Sequence, residues 1–179
     1  MANIAFQKEI NSQKPWGVAG DFMDDNYNHM YPLTLLVKEY EGEDDVKVEV
    51  GKFVWDNGDG TCSAKGTGQP AGIVHRVLDI PITDIANGAT MIVPSKYKVG
   101  IADCCSIFIT VSDTPTVGNK IFVNNTTGAI TNATQGATVS GATETSFRIK
   151  TLCDNTAAVG ILVGVSNWGE RMEINNAAE

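Results

Sequence analysis

The sequence predicts an all-β protein: a small antiparallel barrel or sandwich with an extended N-terminal arm and long surface loops. Three observations predict it. Apolar and polar residues alternate along Val46-Lys47-Val48-Glu49-Val50 and Ser146-Phe147-Arg148-Ile149-Lys150, the period of a strand with one wet face and one buried face. Short β-rich runs are separated by Gly, Asn and Pro along most of the chain, as in sandwiches and barrels. Helical signal is thin: only the first dozen residues and a turn near Ile82 to Ala86 could be argued as helix, and neither has an apolar stripe.

Taken in order, residues 1–32 read as the arm and 33–179 as a single β domain. The arm holds Pro15, Gly17, Gly20 and Pro32, acidic Asp21, Asp24 and Asp25, and isolated aromatics at Phe6, Trp16, Phe22, Tyr27 and Tyr31. Aromatics so spaced cannot form a core alone, so they are expected to lie on the body of the chain or on a neighbour. Glu39, Glu41, Glu43, Asp44 and Asp45 surround Gly42 and read as a solvated loop between strands. The run Val46–Val50 and then Phe53-Val54-Trp55 lead into Asn57-Gly58-Asp59-Gly60, whose dipeptides favour positive-φ turns and predict a hairpin or tight loop. Further strands are expected over 71–77, 90–93, 106–111, 120–124, 146–152 and 159–165. Thr126 to Thr145 is rich in Thr, Ala, Gly and Asn; its small side chains bury little area, so it reads as a surface loop or weak hairpin with Thr138 and Val139 as its strand-like centre.

Composition narrows function. At 179 residues, 42% hydrophobic and 19% charged, the chain can bury a real core. Its 21 acidic residues against 13 basic give a net charge of −8, which argues against a phosphate-neutralising nucleic-acid surface and against docking on an anionic membrane. The N-terminus has no long apolar segment and no window approaches a transmembrane span, so synthesis in a cytoplasm is expected. Cys62, Cys104, Cys105 and Cys153 lack zinc-ligand spacing and read as reduced, mostly buried thiols.

No motif carries chemistry. Asp56-Asn57-Gly58-Asp59-Gly60-Thr61 misplaces the glycine a calcium loop requires. Gly66-Thr67-Gly68-Gln69-Pro70-Ala71-Gly72 is interrupted by Gln69-Pro70 and followed by a strand, unlike a phosphate loop. His29 and His75 stand apart from any metal-hydrolase pattern, and His75, between Val74 and Arg76, reads as structural or interfacial. Gly164 to Gly169 misses a nucleophile elbow by one residue, although a triad scattered in sequence stays open at this point. Trp55 reads as core; Trp16 and Trp168, near the two ends, are candidates for burial between molecules.

Three phrases carry a family likeness: Pro15-Trp16-Gly17-Val18-Ala19-Gly20-Asp21-Phe22; Val50 to Trp55 followed by Gly66 to Arg76; and Val117 to Asn124 with Thr127-Gly128-Ala129-Ile130, Ser146 to Thr151 and Ser166-Asn167-Trp168-Gly169. Together, from about residue 15 to 169, they resemble the structural cement (capsid decoration) proteins of tailed bacteriophages. The acidic insertion over 39–45 and the four cysteines depart from that pattern. The resemblance implies a non-enzymatic protein on the outside of a phage head, with the major capsid protein and its own copies, as a homotrimer, for partners. It implies no cofactor or metal. The residues expected at an interface are Phe6, Trp16, Asp21, Phe22, Tyr27, His75, Arg76 and Trp168. Two rivals remain: a virion-borne hydrolase, which needs carboxylates converging in a cleft, and a carbohydrate-binding module stacking Trp16 or Trp168 on sugar rings.

Overall fold

The computed structural model describes residues 16–24, 28–42, 45–77, 91–153 and 160–168. Their regular structure is β throughout. The strands are β1 His29–Met30, β2 Leu35–Val37, β3 Phe53–Asp56, β4 Thr61–Ser63, β5 Gly72–Val74, β6 Lys98–Val99, β7 Ile101–Cys104, β8 Ser106–Val111, β9 Lys120–Asn124, β10 Ile130–Ala133, β11 Ala142–Leu152 and β12 Ile161–Ser166. They form a seven-stranded sheet, in the order β1-β7-β5-β3-β4-β2-β6, and a five-stranded sheet, β10-β9-β11-β12-β8. Every pairing is antiparallel except β2 with β4. Of the two architectures the sequence allows, barrel or sandwich, the structure is the sandwich, and neither sheet closes into a barrel.

The side-chain period of two explains how the layers are held. In β3, Phe53 and Trp55 face the main core between the sheets while Val54 faces the opposite side; Ile73 and Val74, then Ala102 and Ile101, divide in the same way. The seven-stranded sheet is therefore buried on both faces, which explains its apolar runs. The main core sets those residues against Ile107, Ile109, Ile121, Phe147, Ile149, Val163 and Val165 of the five-stranded sheet. Phe53 and Phe147 meet edge-on, with ring centres 5.7 Å apart. A second core gathers Leu35, Val37, Val48, Val50, Val54, Cys62, Val74, Val93, Val99 and Ile101. Its existence follows from topology. β6 and β7 are separated only by Gly100, yet β6 ends the sheet on one side and β7 stands second from the other end. The sheet must therefore curl back on itself, and the second core fills the curl.

β7 and β8 are also one run of chain, broken only at Cys105, where it passes from one sheet to the other. This run, 101–111, connects the layers and positions the site described below.

Several expectations meet their structures. The turn after β3 is a hairpin to β4, with Gly58 at φ +79° and Gly60 at φ +84°. Its carboxylates cap its own backbone, Asp56 accepting from Gly58 N at 2.7 Å and Asp59 from Thr61 N at 2.9 Å. Trp55 is buried, donating from its indole to Gly68 O at 3.1 Å, and a side chain at Gly66 would collide with its ring. In the 126–145 stretch the strands are Ile130–Ala133 and the first residues of β11, from Ala142, and not Thr138-Val139; fully buried Ile130 anchors the first of them in the main core. The loop that follows is tied back by Gly136 N to Glu144 Oε2 at 2.8 Å and by Arg148 Nη2 to Gln135 Oε1 at 2.9 Å. The helical candidates at the N-terminus and at 82–86, together with Glu43 and Asp44, lie outside the described residues.

Candidate functional site

Residues 18–23 form a hook on the exposed edge of β8. Val18-Ala19-Gly20-Asp21 is a turn, closed by Asp21 N donating to Val18 O at 3.1 Å. Gly20 at its third position has φ +88°, the conformation that makes glycine the residue of choice there. After the turn the chain runs antiparallel to β8. Gly20 N donates to Phe108 O (2.8 Å), Phe108 N to Asp21 O (2.9 Å) and Met23 N to Ser106 O (2.9 Å), with Phe22 opposite Ile107. Gly17 sits against the ring of Phe108, and Met23 fills the space left by the absent side chain of Gly164. The hook thus hides the main-chain groups that a bare edge would present.

The hook also grips the other sheet. Gly20 O accepts from Arg76 N at 2.9 Å and from His75 Nδ1 at 2.9 Å. A carbonyl only accepts, so Nδ1 carries the proton. The His75 imidazole stacks on Phe22, with ring centres 4.1 Å apart and planes 13° from parallel. Arg76 Nη1 reaches both oxygens of Asp21, at 3.2 and 3.4 Å. Ala19 and Gly20 pack on Gly51, where a Cβ would come 2.6 Å from Ala19 Cβ. One turn therefore binds three stretches of body: β8, the Val50-Gly51 turn and the His75-Arg76 pair.

Four of the residues expected at an interface, Asp21, Phe22, His75 and Arg76, are thereby brought together, and they meet one another. Trp16 and Trp168 are more open, at 59% and 41% exposed. Val18, beside Trp16, is exposed as well. Phe6 and Tyr27 lie outside the described residues.

Asn167 was invisible to sequence reasoning and is fully buried. Its Oδ1 accepts from Cys105 N at 2.9 Å, and its Nδ2 donates to Asp103 O at 2.7 Å and Ser146 Oγ at 3.1 Å. It holds the point where the shared strand crosses between sheets and so fixes the base from which Trp168 projects. Nearby, His29 Nδ1 lies 2.6 Å from Asp103 Oδ1. Among the described residues no three His, Cys, Asp or Glu side chains stand close enough together to hold a metal ion. A shallow cleft beside Tyr40 and Cys62 holds the Lys65–Asp45 ion pair, 2.8 Å, which keeps the Asp45 carboxyl below its usual range. The chemistry these arrangements offer is recognition: oriented main-chain donors, a stacked ring pair, an ion pair and exposed indoles.

Comparison with known proteins agrees with that character. The model of a family described as XM1 gp53 minor capsid protein matches residues 6–167. A chain in the solved structure "The capsid of Myoviridae Phage XM1" superposes with a TM-score of 0.60 at 16% identity, over 92% of this chain and 98% of that one. At that identity the likeness is one of fold. No protein with a curated description matches.

Proposed function

The chain belongs to the XM1 gp53 minor capsid protein family and has a structural role in a phage capsid; from that premise we propose that it is a non-enzymatic cement. In this reading it binds the outer surface of the head, bridges neighbouring major capsid protein subunits, and does so as a homotrimer. The observation that carries the reading is the pairing of Trp16 and Val18, exposed and apolar, with a hook fixed to the body by main-chain bonds. Large apolar side chains on a rigid support lose little freedom when covered, so they suit the buried centre of an interface. Carbohydrate binding draws on the same exposed Trp16 and Trp168, since an indole face also stacks on sugar rings.

Mixing the purified chain with expanded, undecorated capsids of the same virus tests the proposal. Saturable co-sedimentation by a defined oligomer, with a raised capsid melting temperature, is expected. A monomer that leaves the capsids unchanged would end the cement reading and make Trp16 and Trp168 the first residues to substitute in sugar-binding assays.

A further inference from the structure

The hook and its slot are complementary in ways that local folding alone does not require. The hook presents a positive-φ glycine, an acid and an aromatic ring in sequence at Gly20-Asp21-Phe22. The slot answers each: Val50 and Gly51 enclose the glycine, Arg76 meets the acid, and His75 stacks on the ring. The slot's own pieces are far away in the chain, with His75 and Arg76 each 55 residues beyond their partners on the hook. Every contact is made by groups that a second molecule carries identically. We propose that residues 17–23 are an exchangeable strand, which a second copy of this chain can supply to the slot in trans.

Three observations bear on exchange against a permanent internal tie. First, the hook's C-terminal end is pinned at Ser106: Met23 N donates to Ser106 O, and Ser106 N donates to Asn28 Oδ1. Extended, the five steps from Met23 to Asn28 span at most about 17 Å, which limits how far a neighbouring β8 can lie. Second, Trp16 and Val18 remain exposed while the hook is docked on its own body; in a swapped assembly they stand at the seam between copies. Third, a β8 edge without a hook leaves the main-chain groups of Ser106 and Phe108 unpaired, and an open edge recruits another strand. Exchange fills every slot with the contacts already seen, and if passed around a rotation axis it closes into a ring.

A charge-swap mixture of intact chains tests this. Asp21→Arg sets two guanidinium groups against each other within one chain, and Arg76→Asp sets two carboxylates together in the other. In a mixture, complementary pairs form only when hooks cross between molecules. Native mass spectrometry is expected to show mixed species at least about tenfold more abundant than self-association of either variant. The double variant, with its pair restored internally, should lose that preference. Mixed species no more abundant than the homomers would overturn the proposal. So would equal mixing by chains reversed at the exposed Lys96–Glu39 pair, which reports general charge attraction. If either variant unfolds, a labelled peptide of residues 14–24 added to the unaltered chain replaces it: saturable binding displaced by unlabelled peptide is expected, and no binding at millimolar peptide overturns the proposal. The inference does not rest on capsid binding, since exchange is measured without capsids and survives a failure to bind them.

Discussion

At the scale of the residue, burial governs the thiols. All four cysteines are buried and none is in a disulfide, in line with the reading as reduced, mostly buried thiols. Burial first, and then the charge of Asp56, pushes Cys62 from 9.0 up to about 12. Burial likewise pushes Cys105 up to about 12, with the charges of Cys104, Asp103 and Asp24 adding to it. The folded chain therefore keeps protons that the unfolded chain releases above pH 9. Stability from these thiols is fully present below that pH and is lost as pH rises toward 12, by about 1.4 kcal/mol per thiol per pH unit at the steepest. Urea midpoints measured from pH 8 to 10.5 should fall accordingly, and Cys62→Val should flatten the fall. An unchanged slope in that variant would show that Cys62 does not keep its proton. Thiol burial was legible in the sequence because no partner or metal spacing competed with it. Asn167 was not legible, because nothing in Ser166-Asn167-Trp168 shows that its amide meets Cys105, Asp103 and Ser146.

At the scale of the element, strands were legible where an apolar run such as Ile107-Phe108-Ile109 or Ile121-Phe122-Val123 stood between turn residues. β8 and β9 fall where the sequence put them, at 106–111 and 120–124. Short strands escaped: β1, β2, β4 and β6 have two or three residues each, too few to show a period, and their pairing is set by distant partners. Val46–Val50 read as a full strand, yet only Glu49 bridges, to Ile92, with Val48 and Val50 bonded to Val93 and Met91. The hook is the most instructive element. Its aromatic ring and glycines were visible, but the body they would meet was not. Gly20 is its pivot, because a side chain there would strike Val50 Cγ1 and stand 3.2 Å from Arg76 N, at a φ of +88°. Gly20→Val should cost roughly 2–4 kcal/mol, from the left-handed backbone and the overpacking together. Amide exchange should quicken at Phe108 and Arg76, whose N–H groups bond to the hook, while β12 keeps its protection on the other side of β8. Retained protection at Phe108 and Arg76 would show that the hook tolerates the change and is held by something other than that turn.

For the whole molecule, the net charge of −8 and the two-layer body fit the cement proposal, in which acidic chains repel one another until a repeating lattice binds them. Under the cement proposal, a homotrimer on such a lattice would present the same contact three times, so that modest individual contacts combine through effective concentration. That gives Trp16 a distinctive signature. A buried tryptophan at an interface centre contributes on the order of 2 kcal/mol, so Trp16→Ala costs about thirtyfold in affinity at one contact. Three contacts engaged together compound that loss toward about 10⁴-fold. Half-saturation of expanded capsids by the unaltered chain and by Trp16→Ala, at equal ionic strength, separates the cases. A loss far beyond thirtyfold means that the contacts act in concert and that the hook's outer face meets the shell. A loss near thirtyfold means one contact per bound molecule, and the trimer then has no part in affinity. Unchanged binding means that the face carrying Trp16 points away from the shell, and the same titration with Trp168→Ala then asks whether the region beside the crossing point at Cys105 makes the contact.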